Sequence, residues 1–506
     1  MTDTINSAWL ATATGGGEPG VQLPEYDREA VTTGIVHFGV GGFHRAHQAM
    51  AVDRLMNAGL ALDWGICGVG VMEPDRRMQA VMKDQDCLYT MVVKHADGGR
   101  EARVIGSIVE YLYAPDDPDT VIEKMADPAT RIVSLTVTEG GYNFDQVTGE
   151  FDASNPAVVA DLQPGATPAT VFGLVTEALV RRRERGIAPF SIMSCDNIQG
   201  NGHIAQQVFG TFAELRDPHL GAWVRDNVAF PNSMVDRITP VTTQDDIDEL
   251  ASQFGLTDAW PVVCEPFFQW ALEDNFPLGR PPFEEAEVQV VDDVLPYELM
   301  KLRLLNVGHQ AICYFGFLSG YTYAHEAASD PAIAAFTLAY MDREATPTLR
   351  AVPGVDLDAY KRTLIERFSN SEVRDTLARL CAESSDRIPK WLVPVIRERR
   401  AQGGDVTLSA AIVASWVRYA LGVDEHGEPI QVVDRLKDQL MPLAQRQREE
   451  PLAFVSVPSL FGELASDPGF AEPYLAALEA LHRVGAHATV ATLAGGPLGR
   501  QVKRTS

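Results

Sequence analysis

Lys301, Asn306 and His309 lie within one short stretch, Lys301-Leu-Arg-Leu-Leu-Asn-Val-Gly-His309, and their types suit the oxidation of an alcohol. A lysine whose ammonium form is disfavoured by burial or by a nearby cation can take a hydroxyl proton. An asparagine amide can donate to the oxygen as hydride leaves the carbon. A histidine can orient the lysine or bind a substrate hydroxyl. At about 100° per residue, Asn306 falls roughly 140° and His309 roughly 80° from Lys301, so one side of an α-helix carries all three. Leu302 and Leu305 share that arc, which suggests the wall of a semi-buried cleft, where buried polar groups need partners. The alternative is a helix with one snorkelling lysine and a packed core histidine.

A second chemical signal lies near the other end of the chain. Phe38-Gly39-Val40-Gly41-Gly42-Phe43-His44 joins a strand candidate at 34–39 to a helix candidate at 44–58. Glycines permit a tight turn, and a missing Cβ lets a pyrophosphate approach the backbone at a helix start. His44 stands where the usual pattern has its third glycine, so an ordinary glycine-rich turn is the competing reading. A dinucleotide fold wants an acid near the end of the second strand to hold the ribose hydroxyls. Glu73 and Asp75 sit there, later than the usual spacing. Arg76 and Arg77 follow and could tolerate a 2′-phosphate. A helix cap is the competing role for Asp75.

Further candidates are scattered. Asn197 ends the strand candidate Phe190–Ser194, and strand ends are where α/β sheets collect ligands; an Asx turn is its other reading. Phe230–Pro240, which contains Asp236, mixes polar and apolar residues without a solvent face. Arg379 could bind substrate hydroxyls or a neighbouring helix carboxylate.

The elements that must position these groups alternate. Strand candidates at 64–69, 88–93, 103–107, 131–137 and 190–194 are interleaved with helices at 117–127 and 170–186, which predicts α/β architecture with a mainly parallel sheet. Beyond about residue 296 the pattern turns helical: 296–318, 331–344, 355–368, 371–381, 407–421, 431–445 and 470–485. The expected domains are residues 1–290, Rossmann-like with an N-terminal arm at 15–24, and 291–506, mainly helical. A basic tail at 500–504 reads as a solvated end.

Composition limits the partners. The 506 residues carry 42 Lys and Arg against 69 Asp and Glu, a net charge of −27, which argues against nucleic acid. No apolar run approaches the ~18 residues of a membrane span. Six cysteines, at 67, 87, 195, 264, 313 and 381, form no CxxC or zinc-ribbon pattern and read as reduced, partly buried thiols. The first residues lack the basic and apolar regions of a secretory leader, so a cytoplasmic location is expected.

Taken together, Gly39–Gln48, Thr138–Tyr142, Ser194–Asn197, Phe230–Pro240, Lys301–His309 and Arg367–Asn370 make the chain resemble the mannitol dehydrogenase family, the polyol-specific long-chain dehydrogenases. The resemblance runs from about Leu23 to about residue 490. It implies an NAD-binding Rossmann-like domain, a largely helical domain and an active site in the cleft between them. It also implies reversible oxidation of D-mannitol at C2 to D-fructose without zinc, in a monomer. Lys301 is then the general base, Asn197 and Asn306 polarise the reacting oxygen, and His309 positions substrate and lysine. Glu139 and Glu298 match acids on a proton route, Asp236 and Arg379 match sugar-hydroxyl contacts, and Phe38 to His44, Asp75 and Arg387 match the cofactor region. Two departures stand out: Pro74 replaces a family Glu beside the ribose-binding acid, and Arg387 replaces a lysine. Sister substrates are D-arabinitol, D-sorbitol and fructuronate. A non-catalytic NAD-binding protein or an interaction module would need a broken catalytic set, and the set is intact.

Overall fold

The computed structural model describes residues 3–13, 20–144 and 149–495. The chain divides into two compact units, Met1–Leu295 and Pro296–Ser506. The expected arm at 15–19 and the basic tail at 500–504 lie outside the described residues, whereas Val21–Gln22 pairs in parallel with Ala102 and Arg103.

Five short runs build the central sheet of the first unit: Thr33–Phe38 (β1), Gly65–Gly70 (β2), Ile108–Tyr113 (β3), Ile132–Leu135 (β4) and Ser191–Ser194 (β5). All neighbours are parallel, in the order β3-β2-β1-β4-β5. The order reverses between β1 and β4, the switch point at which such sheets form a ligand crevice. Alternate residues face opposite ways. Ile35, Ile66, Ile108, Ile132 and Met193 join one core, and Val36, Phe38, Val69, Val133, Leu135 and Ile192 join the other. Burial on both faces is why these strands read as continuous apolar runs.

The first unit departs from the sequence pattern at the edge strand Ile108–Tyr113, which is not among the strand candidates, and in two further places. The spacing predicts one helix over 44–58. The structure has two, Gly42–Ala46 (α1) and Gln48–Asn57 (α2), broken at His47 (φ −122°, ψ −90°). The His47 ring packs 4.8 Å from Phe43, 4.7 Å from Phe268 and 5.1 Å from Trp270, contacts invisible to local periodicity. The strand candidates at 88–93 and 103–107 do not join the central sheet. They form an antiparallel hairpin, Tyr89–Lys94 with Arg100–Ile105, in a separate four-stranded sheet.

The second unit is helical. It opens with Leu295–Met300 (α3), continues through Lys301–Asn306 and runs on as Val307–Leu318 (α4), whose residues are nearly all buried. Ala324–Ser329, Pro331–Tyr340, Leu377–Cys381 and Thr407–Tyr419 pack around α4. Helix boundaries moved where capping decides them. The helix expected over 371–381 begins at Leu377, because the Thr376 side chain accepts the Arg379 N–H. The one expected over 431–445 begins at Lys437. Ser384–Ala401 carries no sequence prediction because Pro389 and Pro394 interrupt it, yet it is helical throughout. All six cysteines are free and buried. Among the described residues no helix is long and apolar enough to cross a membrane.

Candidate active site

β1 ends in Gly39, whose φ of +93° places it in the left-handed region. A Cβ there would lie 2.2 Å from the Thr136 carbonyl oxygen at the end of β4, so glycine is required by the protein's own packing. Gly41 is different. It is exposed, and an added Cβ would meet nothing nearer than 3.8 Å. Internal packing makes no demand for glycine at 41, whereas a pyrophosphate resting on the turn would. The first amides of α1 add the unpaired donors of a helix start.

A polar layer underlies this turn. His37 Nδ1 lies 2.8 Å from Ser134 Oγ, and its Nε2 lies 3.0 Å from Thr136 Oγ1. Thr136 Oγ1 donates to the Gly39 carbonyl at 2.7 Å. His44 stacks flat on His37, with ring centroids 3.4 Å apart. A flat ring thus replaces the third glycine and still lets helix and strand approach. Burial holds His37 neutral, its pKa pushed down to about 3, and burial lowers His44 as well.

At the end of β2, one Asp75 carboxylate oxygen accepts the Val71 and Met72 amides, each at 2.9 Å. Asp75 is not the helix cap, which is Pro74 without a side-chain bond. It is the first residue of the helix Asp75–Asp84, and its bonds to the preceding loop fix the carboxylate at this strand end. Arg76 forks onto Asp116 at 2.9 and 3.3 Å and lies 4.5 Å over the Tyr113 ring. Arg77 stacks 4.1 Å over Trp260.

Asn197 is exposed just beyond the C-terminal end of β5, and Glu139 is half-buried just beyond β4. Asp196 is 7% exposed. Its carboxylate accepts the Thr138 amide at 2.7 Å, the Val137 amide at 3.2 Å and the Tyr142 hydroxyl at 2.8 Å. The mixed segment Phe230–Pro240 is pinned to the same strand end. Ser233 Oγ donates to the Ser194 carbonyl at 2.6 Å, and Asn201 bridges the carbonyls of Asp196 and Ser233. Asp236 is buried at the end of strand Ser233–Asp236.

In the second unit, Lys301–Asn306 is a π-helical segment. A ladder of i→i+5 bonds aligns residues five apart, as the α ladder nearly aligns residues four apart. Lys301 and Asn306 are five apart. The roughly 140° separation expected from α geometry is therefore corrected, and the two side chains are brought toward one line. Lys301, Asn306 and Glu298 are buried, at 7%, 4% and 5% exposure. The Asn306 amide nitrogen is buried with no hydrogen-bond partner among the described residues. Half-buried His309 sets its ring 4.5 Å from Phe368. Gly308 makes that approach possible, since a Cβ there would lie 3.0 Å from Phe368. Behind them Arg303 is clamped by both Glu398 oxygens at 2.6 Å and by the Thr348 carbonyl at 2.8 Å.

Two models of the mannitol dehydrogenase family match this chain: its Rossmann domain over residues 33–285 and its C-terminal domain over 293–482. The chain belongs to the mannitol dehydrogenase family. Membership makes it an NAD-dependent polyol dehydrogenase. It is similar to mannitol 2-dehydrogenase of Pyricularia oryzae, 44% identical over 97% of this chain and 99% of that one. Mannitol dehydrogenase 2 of Saccharomyces cerevisiae is 45% identical over 94% and 95%. Among solved structures, Pseudomonas fluorescens mannitol 2-dehydrogenase, in a ternary complex with NAD and D-mannitol, superposes with a TM-score of 0.88 at 42% identity over 98% and 100% of the two chains. A substrate-free D-sorbitol dehydrogenase also scores 0.88, at 36% identity over 96% and 100%.

Within this mannitol dehydrogenase frame, two expected site residues have visible structural work. Arg379 is exposed and forks onto Asp375, the helix-surface pairing named as its alternative. Arg387 donates to the Leu380 carbonyl at 3.0 Å and so closes the C-terminal end of Leu377–Cys381. Sequence reasoning assigned no role to Ser134, Thr136, Tyr142 or Asp196, which pair across distances of tens of residues. The available signal was the placing of polar residues at the ends of apolar strands. Among the described residues no group of three or more His, Cys, Asp or Glu side chains could hold a metal ion.

The two turn glycines yield contrasting expectations. Gly39→Ala is expected to destabilise the protein by more than the ~1–2 kcal/mol of a left-handed residue, because overlap adds to it. Gly41→Ala is expected to melt at the wild-type temperature yet bind NADH weakly. Thermal melts and fluorescence titration check both.

Proposed function

We propose that the protein catalyses the reversible oxidation of D-mannitol at C2 to D-fructose. The observation that carries this reading is the π segment, whose i→i+5 geometry brings a buried lysine toward one line with a buried amide nitrogen that has no partner among the described residues. The similarity to mannitol 2-dehydrogenases supports it. Gly39 to His44 and Asp75 hold NAD⁺. NAD⁺, when bound, supplies a hydride acceptor. Lys301 takes the C2 hydroxyl proton in oxidation and returns it in reduction. Asn306 and Asn197 donate to the oxygen as charge develops on it, which is where fixed donors act most strongly. His309, braced by Phe368, orients the sugar. Glu139 and Glu298 pass the proton onward. Asp236 and Arg379 bind the remaining hydroxyls.

D-Sorbitol is the second reading, favoured by the similarity to a D-sorbitol dehydrogenase. The two hexitols differ in configuration at C2, so one experiment separates them. NADH oxidation with D-fructose is followed optically and the hexitol product is identified, beside NADPH and a panel of ketoses and uronates. Mannitol as product supports the proposal. Sorbitol, or activity on another substrate alone, moves the question to Asp236 and Arg379 as the residues that would bind the sugar hydroxyls.

A further inference from the structure

We infer that Asp196 and Tyr142 are positioning residues that clamp a left-handed turn and thereby aim Glu139 and Asn197. The inference rests on the proposed function. Thr138 has φ +66°. A β-branched residue there is a steric outlier and persists only where its surroundings over-determine it. The surroundings here are one carboxylate. Asp196 takes the amides on both sides of the Val137–Thr138 link, through different oxygens, and Tyr142 reaches back from the far end of the turn to the same carboxylate. The Tyr142 hydroxyl also lies 2.5 Å from Ser194 Oγ, and Ser194 Oγ accepts the Asp196 amide. The turn is closed at both ends.

Its position in the chain gives the clamp meaning. Glu139 follows Thr138 directly, and Asn197 follows Asp196 directly. One carboxylate therefore sets the backbone on which both site residues stand. The Tyr142 ring itself belongs to the hydrophobic core, but the turn it closes does not. The helical turn Thr138–Gly141 buries none of its residues. Burying a carboxylate and a phenol is a costly way to hold a turn that contributes so little to the core. Burial pushes the Asp196 carboxyl up to about 6, with the Glu139 charge adding to it.

The test uses the whole protein and four variants: Tyr142→Phe, Asp196→Asn, Thr138→Gly and Tyr142→Phe combined with Thr138→Gly. Thermal midpoint, NADH affinity, kcat and KM for the ketose, and the isotope effect with deuterated NADH are measured for each. Tyr142→Phe is expected to lower kcat by ~10- to 100-fold, the scale of an ångström of misplacement. NADH affinity should stay near wild type, and the isotope effect should rise as chemistry becomes limiting. Thr138→Gly alone should leave kcat near wild type. Added to Tyr142→Phe it should recover much of the loss, because glycine adopts the turn without a clamp. A merely structural pair would lower the folded fraction and leave kcat per NADH-binding site and the isotope effect unchanged. That result, or glycine restoring folding without restoring kcat, overturns the inference. If Tyr142→Phe does not fold, Asp196→Asn is judged by the same readouts. If neither folds, with or without Thr138→Gly, the pair is a folding element and the inference falls. Absence of polyol or ketose turnover by the unmodified protein overturns the proposed function and this inference with it. Wild-type turnover with an undiminished Tyr142→Phe variant overturns this inference alone.

Discussion

Lys301→Ala is expected to lower turnover by about 10²–10⁴-fold, the range of a general acid–base group, while NADH affinity stays close to wild type. The lysine is 7% exposed and sits at the start of the π segment, away from the glycine turn in sequence. Lys301→Arg should be no better, because a guanidinium does not give up its proton in proteins. A small primary amine in the medium should restore part of the alanine variant's rate by standing in for the lost group. Stopped-flow turnover and fluorescence titration decide the outcome. Retained turnover would remove Lys301 from the reaction, and lost NADH binding would show that the substitution damaged more than the base.

Asn306→Ala carries the second large effect. Loss of one donor to a developing oxyanion costs about 10²–10³-fold in kcat, and KM should change far less. The usual objection, that truncating a buried polar residue merely unfolds the protein, is testable here. The Asn306 amide nitrogen has no partner to lose among the described residues, so the thermal midpoint should hold. Asn306→Asp should be slower still, since an ionised carboxylate accepts hydrogen bonds and repels the alkoxide. Equal losses of kcat and of thermal stability would assign Asn306 to the core.

Four of the five parallel strands were legible because burial on both faces leaves only apolar, β-branched runs, as in Ile35-Val36 and Ile132-Val133, whereas the edge strand Ile108–Tyr113, mostly half-buried, was not. The glycine turn and the Lys-Asn-His stretch were legible as well, since their chemistry is local. What escaped was long-range. At His47, where the helix breaks, two aromatic rings from a distant segment, Phe268 and Trp270, meet the imidazole beside the local Phe43. Ser384–Ala401 tolerates two prolines that a local reading treats as stops. The Asp196–Tyr142 clamp joins residues more than fifty positions apart. The spacing of Lys301 and Asn306 was read with the wrong helix, because nothing in the letters of that segment announces an i→i+5 ladder.

An i→i+5 turn takes up one residue more than its α counterpart. The stretch from α3 into α4 therefore behaves like an α-helix into which a single codon has been inserted and kept. Removing one residue between 302 and 305 would let the ladder close in ordinary α register, with Lys301 and Asn306 four apart and the helices on either side still in phase. The lysine and the amide would stay near one line, and what would be lost is the wide turn between them. In comparisons of related chains, a one-residue gap inside this motif is thus a change of helix type that spares the pair, whereas the same gap in the flanking α-helical turns has no wide turn to absorb it.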